Sequence, residues 1–123
     1  MKREIIITDD GSATIYIPDW NEQYHSKHGA IQEAYHVFIN AGLEYFLTQL
    51  QPKPLKILEI GFGTGLNAFI TLLEADKNKI PINFTGVEAY PISSSEIEKL
   101  NYPLQLNSSD EYFKKLHQGK WEQ

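Results

Sequence analysis

Two glutamates and three glycines carry the clearest chemistry in this chain. Glu59, Gly61, Gly63 and Gly65 fall within residues 56–67, KILEIGFGTGLN. Glu88 follows a second β-rich run, INFTGV, at residues 82–87. Glycine admits positive φ and puts no Cβ between backbone and ligand. Where such a turn opens a helix, the helix's unpaired N–H groups face the crevice. A carboxylate at the end of the next strand is placed to accept from ribose hydroxyls. Glu59 lies inside its strand, where a carboxylate needs a partner. The spacing is Gly-x-Gly-x-Gly, with Leu66 next, so it departs from the dinucleotide pattern Gly-x-Gly-x-x-Gly. The Gly-Lys-Ser/Thr of a phosphate loop is absent. The bland alternative is a ligand-free βα turn, and Glu88 in register weighs against it.

The elements that must position these residues can be read from periodicity. Leu55, Ile57, Leu58 and Ile60 form a short apolar run, expected as a strand covered on both faces. Thr64 is expected to cap a helix that carries Leu66, Phe69, Ile70 and Leu73 to about Asp76, followed by a polar turn at 77–79. Upstream, residues 4–8 and 14–17 are β-branched and flank Asp9-Asp10-Gly11-Ser12, which predicts a hairpin. Pro18 closes its second strand, and residues 19–28 read as a loop. Ile31, Ala34, Phe38, Ala41 and Tyr45, widened by Val37 and Phe46, predict a core-facing helix over 29–50. Gln51-Pro52-Lys53-Pro54 ends it. Downstream, Ser93 with Glu96 and Ser108 with Glu111 have capping-box spacing. The first helix should end near Asn101-Tyr102-Pro103. The second carries Tyr112, Phe113 and Leu116 and should stop at Gly119. Residues 104–106 are at most a short strand. The fold class is α/β: a partial Rossmann-like sheet preceded by an N-terminal β-hairpin and a long helix.

At 123 residues the chain is one domain: hairpin and loop in 1–28, helix in 29–50, cofactor-binding half in 55–123. It has no cysteine, so no disulfide framework and no thiolate zinc site. Its net charge of −5, without a Lys/Arg cluster, argues against a general polyanion binder. No run is long enough to span a membrane, and the N-terminus lacks a signal-peptide h-region, so the protein is expected to be cytoplasmic. His25-x-x-His28 has no third ligand at a recognisable spacing, and Glu33-x-x-His36 is half of a di-iron motif that needs two copies. No metal is expected. Glu33 is expected to anchor the loop from Tyr24 to Gly29 by hydrogen bonds. The aromatics Phe38, Tyr45 and Phe46 are expected in the core.

The glycine turn, Glu59 and Glu88 together resemble the S-adenosylmethionine site of a Rossmann-like methyltransferase. The narrower run Glu59-x-Gly61-Phe62-Gly63-Thr64-Gly65-Leu66-Asn67 resembles the methyltransferase domain of the MnmC family. Tyr24-x-Ser26, Glu33-x-x-x-Val37-Phe38 and Glu88-x-x-Pro91 are similar to that family too. The resemblance implies methyl transfer to the aminomethyl nitrogen of 5-aminomethyl-2-thiouridine at the tRNA wobble position. It implies that the turn, Gly61, Phe62, Gly63, Thr64 and Gly65 with Asn67, receives the cofactor's methionine part and ribose. Glu88 would bind the ribose hydroxyls, and Tyr90 or Phe62 would border the adenine. Glu59 would meet the methionine ammonium directly or through water; the alternative is a buried carboxylate holding loop N–H groups. Tyr24 and Ser26 would lie on the substrate side.

The family's later Asp-x-Phe and Pro-x-Met/Leu-Trp segments would fall beyond Gln123, and the fused oxidase domain is not expected within these residues. The chain is therefore expected to be the N-terminal part of a longer methyltransferase, with its catalytic residues beyond Gln123. The apolar strand at 55–60 should have a neighbour on each edge, one of them from later sequence. Alone, the chain is expected to self-associate through the unpaired edge and not to methylate tRNA. Two other readings stay open: a non-catalytic nucleotide-binding or interaction module, and a methyltransferase for another amine or small molecule.

Overall fold

The computed structural model describes residues 2–49 and 55–119. The proline-rich link at 51–54, Leu50 and the segment 120–123 lie outside the described residues. The hairpin forms as β1 (Glu4–Ile7) and β2 (Ala13–Ile17), antiparallel, with Ile5 opposite Ile15. The expected loop after Pro18 holds more structure: a 3-10 turn at Pro18–Trp20, then β3 (Glu22–Gln23), which pairs antiparallel with β2.

The Asp9-Asp10-Gly11-Ser12 turn does more than reverse the chain. Ala30 N–H donates to Thr8 Oγ1 at 3.1 Å, Ile31 N–H to Ser12 Oγ at 3.1 Å and Gln32 N–H to Asp10 Oδ2 at 3.0 Å. These are the orphan donors of a helix start, satisfied by hydroxyls and a carboxylate of the hairpin. Burial pushes Asp10 up, but its bonds from Ser12, Gln32 and Thr8 outweigh it and hold the carboxyl below its usual range. Gly29 permits this contact, because a Cβ there would lie 2.6 Å from Asp10 Oδ2.

The long helix runs as α1 (Ala30–Glu33), a π-helical stretch (Ala34–Glu44) and α2 (Tyr45–Gln49). The π stretch corrects the expected stripe. Ala34, Ile39 and Leu43 are buried, a spacing of four to five that follows the wider turn. Ala41 and Tyr45 are exposed, and of the three aromatics expected in the core only Phe38 packs against it.

β4 (Leu55–Ile60), α3 (Leu66–Asn78) and β5 (Ile82–Val87) form a βαβ unit, with β4 and β5 parallel and Leu55 opposite Ile82. Leu55, Ile57 and Phe84 face inward. The other face is open, contrary to the expectation of cover on both sides: Leu58 is 65% exposed, Ile60 75% and Val87 47%. Among the described residues β4 has β5 as its single neighbour. α3 starts at Gly65 in the left-handed region with no side-chain cap, so Thr64 does not cap it. Its last turn continues to Asn78 and closes on Lys79 at positive φ.

α4 (Ser94–Lys99) begins with the expected Ser93–Glu96 capping box. Residues 104–106 are not a strand: α5 (Tyr102–Gln105) takes most of them, started by Pro103 in its first turn. α6 (Asp110–Leu116) is capped by Ser109 rather than Ser108, whose N–H goes to Pro103 O, and it ends before Gly119 at His117. Arg3 fastens the first strand to the far side of the molecule. Its Nη1 donates to Tyr90 O at 3.0 Å, and its Nε and Nη2 reach both oxygens of Glu96 at 2.8 and 2.9 Å. Ala13, Ala34, Leu55, Phe69, Tyr102 and Phe113 share one core, so hairpin, helix and sheet pack as a unit.

Candidate functional site

A cavity of about 650 Å³ opens between the carboxyl ends of β4 and β5, the loop after β2 and the π stretch. The parallel register places Glu59 opposite Gly86 and Ile60 opposite Val87, so the glycine turn and Glu88 leave the sheet together. Gly61, Gly63 and Gly65 all have positive φ, the conformation that lets the chain turn sharply here. A Cβ on Gly63 would come within 3.2 Å of the Tyr24 ring. Glu59, Phe62, Asn67, Glu88, Tyr90 and Tyr24 all line the cavity, as does Thr64. Gly65 and Ser26 lie outside its wall. Ser26 Oγ accepts from His28 N–H, a bond within its own loop.

Four N–H groups of the turn are engaged, while the helix that follows starts without a side-chain cap. Gly61 and Phe62 donate to Val87 O at 2.7 and 3.0 Å, and Gly65 donates to Phe62 O at 3.0 Å. Gly63 donates to Glu88 Oε1 at 2.7 Å. Glu88 Oε2 accepts from Tyr90 N–H at 3.1 Å, so this carboxylate ties the turn to the segment after β5. Each oxygen keeps acceptor capacity for a ligand hydroxyl.

Glu59 is arranged differently. Oε2 accepts from Asn67 Nδ2 at 2.7 Å, while Oε1 is buried with no partner among the described residues. Burial raises its pKa, the Asn67 bond opposes the rise and the charge of Glu88 adds to it. A buried acceptor without a donor costs about 1–3 kcal/mol. A cationic donor would satisfy it once the side chain turned that oxygen into the cavity that Glu59 lines. Of the two roles left open for Glu59, holding loop N–H groups is not the one seen: its bond is to a side-chain amide.

Three features escaped sequence reasoning. Trp20 is exposed at the rim, and Glu33 with His25 forms part of the wall. The expected anchoring of the Tyr24–Gly29 loop by Glu33 is replaced by other bonds: Tyr24 N–H to Ile15 O at 2.8 Å, Asp9 N–H to Lys27 O at 2.9 Å, and His25 Nδ1 paired with Thr14 Oγ1 at 2.8 Å. Burial lowers the His25 pKa, and Glu33 partly opposes this. The charged wall is then Glu33, Glu59 and Glu88, with no lysine or arginine. An acidic wall without lysine or arginine disfavours a pyrophosphate and suits a cation. Among the described residues no cluster could hold a metal ion, and no helix is long and apolar enough to cross a membrane.

The architecture defines a class: an α/β protein with a partial Rossmann-like sheet, an N-terminal hairpin and a long helix, its site at the strands' carboxyl ends. Within that class the chain is similar to MnmC proteins. It is 35% identical over 101 residues to the tRNA 5-methylaminomethyl-2-thiouridine biosynthesis bifunctional protein MnmC of Acidovorax sp. strain JS42, covering 79% of this chain and 15% of the relative. The protein of that name from Leptospira borgpetersenii serovar Hardjo-bovis strain JB197 is 37% identical over 84 residues, covering 65% of this chain and 13% of the relative. The crystal structure of MNMC2 from Aquifex aeolicus superposes with a TM-score of 0.74 at 25% identity, covering 99% of this chain and 39% of that one. The chain thus spans 13–15% of the length of these curated relatives. No family model matches it.

Proposed function

We propose that this chain is the cofactor-binding portion of an S-adenosylmethionine-dependent tRNA methyltransferase. Its acceptor is the aminomethyl nitrogen of 5-aminomethyl-2-thiouridine at the wobble position, and its work is cytoplasmic. The observation that carries this reading is the unpartnered Glu59 Oε1 in an acidic-walled cavity beside Glu88. The tRNA acceptor rests on the names of the MnmC relatives.

Bound here, the cofactor supplies a methyl group made electrophilic by its sulfonium. The chain's residues position it. Glu59 accepts from the methionine ammonium, with Asn67 fixing the carboxylate's rotation. Glu88 accepts from the ribose hydroxyls while holding Gly63 and Tyr90. Gly61 and Gly63 let the ligand lie against the backbone, and Phe62 or Tyr90 borders the adenine. Tyr24, over Gly63, faces the side from which an acceptor enters. With a ready-made electrophile, placement of the two reactants is the main contribution to rate.

Equilibrium dialysis against methyl-tritiated S-adenosylmethionine tests the reading. Retention competed by S-adenosylhomocysteine, and lost in Gly63→Val while the circular dichroism spectrum is kept, is the expected outcome. Retention competed by a nicotinamide dinucleotide instead would contradict it.

A further inference from the structure

His117, at the end of α6, lies outside the cavity wall and outside every motif described above. Its imidazole fills a slot between two rings, with centroids 5.5 Å from Phe62 and 4.9 Å from Phe113, both edge-on. Its Nε2 is 2.9 Å from the backbone carbonyl of Thr64, at the crest of the glycine turn. A carbonyl only accepts, so Nε2 carries the hydrogen and donates. The turn is shaped around this ring: a Cβ on Gly65 would lie 2.8 Å from Nε2. From the other side Tyr102 Oη donates to Thr64 Oγ1 at 3.3 Å, so the buried Thr64 is gripped at both its carbonyl and its hydroxyl. Burial keeps His117 below its ordinary pKa, with the Thr64 carbonyl opposing, so the ring is neutral at neutral pH. Its tautomer there is the Nε2–H form.

We propose that His117 is a positioning residue for the site: through its bond to the Thr64 carbonyl it holds the Gly63-Thr64-Gly65 segment in the conformation that receives the cofactor. The turn's own bonds tie it to β5 and Glu88 along one side only. Its Thr64 crest is held from α5 by Tyr102 at the hydroxyl and from the end of α6 by His117 at the backbone carbonyl, so His117 is the side chain that fixes the crest's main chain. α6 is thereby coupled to a site that it does not line. The proposal rests on the cofactor reading above for its functional consequence, but its structural part stands separately.

Two variants separate the hydrogen bond from the packing. His117→Phe keeps a ring in the slot and removes the donor. His117→Gln returns an amide donor of similar reach. S-adenosylhomocysteine affinity is measured by calorimetry, and amide hydrogen exchange is followed without ligand. His117→Phe should weaken binding by about fivefold to tenfold, the effect of one lost hydrogen bond. It should also speed exchange at Gly63 and Gly65 more than at the β2 amides. His117→Gln should recover most of both effects. The parent's imidazole nitrogen shifts should show the Nε2–H tautomer. Parental affinity and exchange in His117→Phe would overturn the proposal, as would faster exchange spread evenly over the fold. Faster exchange confined to the turn, in a protein that binds no S-adenosyl compound, would uphold the positioning role and sink the cofactor reading.

Discussion

Glu59 and Glu88 stand at the ends of neighbouring parallel strands yet occupy opposite situations. Glu88 has donors on both oxygens, whereas Glu59 has one engaged and one bare. The difference makes Glu59 the residue whose ionisation a ligand should move. Its pKa is raised above the ordinary carboxylate range in the free protein, because burial and the charge of Glu88 together exceed the help from Asn67. The carboxylate must be charged to hold an ammonium. Affinity for S-adenosylmethionine should therefore be flat above that raised pKa and fall as pH drops through it, at a higher pH than for an ordinary carboxylate. Calorimetry across that window checks it, and Glu59→Gln should bind more weakly with the slope removed. The strand, turn and strand-end arrangement of this pair was legible in the sequence because it depends on local pattern and on the βαβ register. The contributions of His25, Glu33 and Trp20 were not, since they reach the cavity only when the hairpin packs on the sheet.

At the scale of elements, the hairpin turn and the long helix are one device. Asp10, Ser12 and Thr8 cap a helix about twenty residues on, and no local spacing announces that. The Ser93–Glu96 box was legible because both partners lie in one turn. Ser109 displaced Ser108 because the Ser108 N–H is drawn to Pro103 O. Thr64 left its expected capping role because its hydroxyl meets Tyr102, a contact of the tertiary fold. The π stretch has no sequence signature, and it shifted the buried stripe from Ala41 and Tyr45 to Ile39 and Leu43. Asp10→Ala should cost about 1 kcal/mol in urea unfolding at neutral pH, mid-range for a lost cap whose carboxylate is partly solvated. The folded state holds the Asp10 carboxyl below its ordinary range, because its hydrogen bonds outweigh its burial. Its contribution is therefore present above the unfolded pKa and lost as pH falls through the folded one. The difference between parent and variant should shrink in strong acid.

For the whole molecule, the open face is the main feature. Leu58, Ile60 and Val87 lie on one side of a two-stranded sheet whose β4 edge is unpaired among the described residues. Such an edge is a template for another strand. We expect the isolated 123-residue polypeptide to self-associate, with sedimentation velocity showing species above the monomer mass of 14.1 kDa. Ile60→Lys should shift them toward monomer. A single monomeric boundary at all concentrations would contradict this.

The central claim is that the glycine turn, Glu59 and Glu88 make one cofactor site. Calorimetric titration of S-adenosylhomocysteine into the parent and Glu88→Ala tests it most directly. The account predicts saturable one-to-one binding to the parent. Affinity in Glu88→Ala should be lower by about 1–3 kcal/mol, the range for hydrogen bonds to a charged group and the unpaired partners left behind. Equal affinity in the two proteins, or no binding by a folded parent, would contradict it.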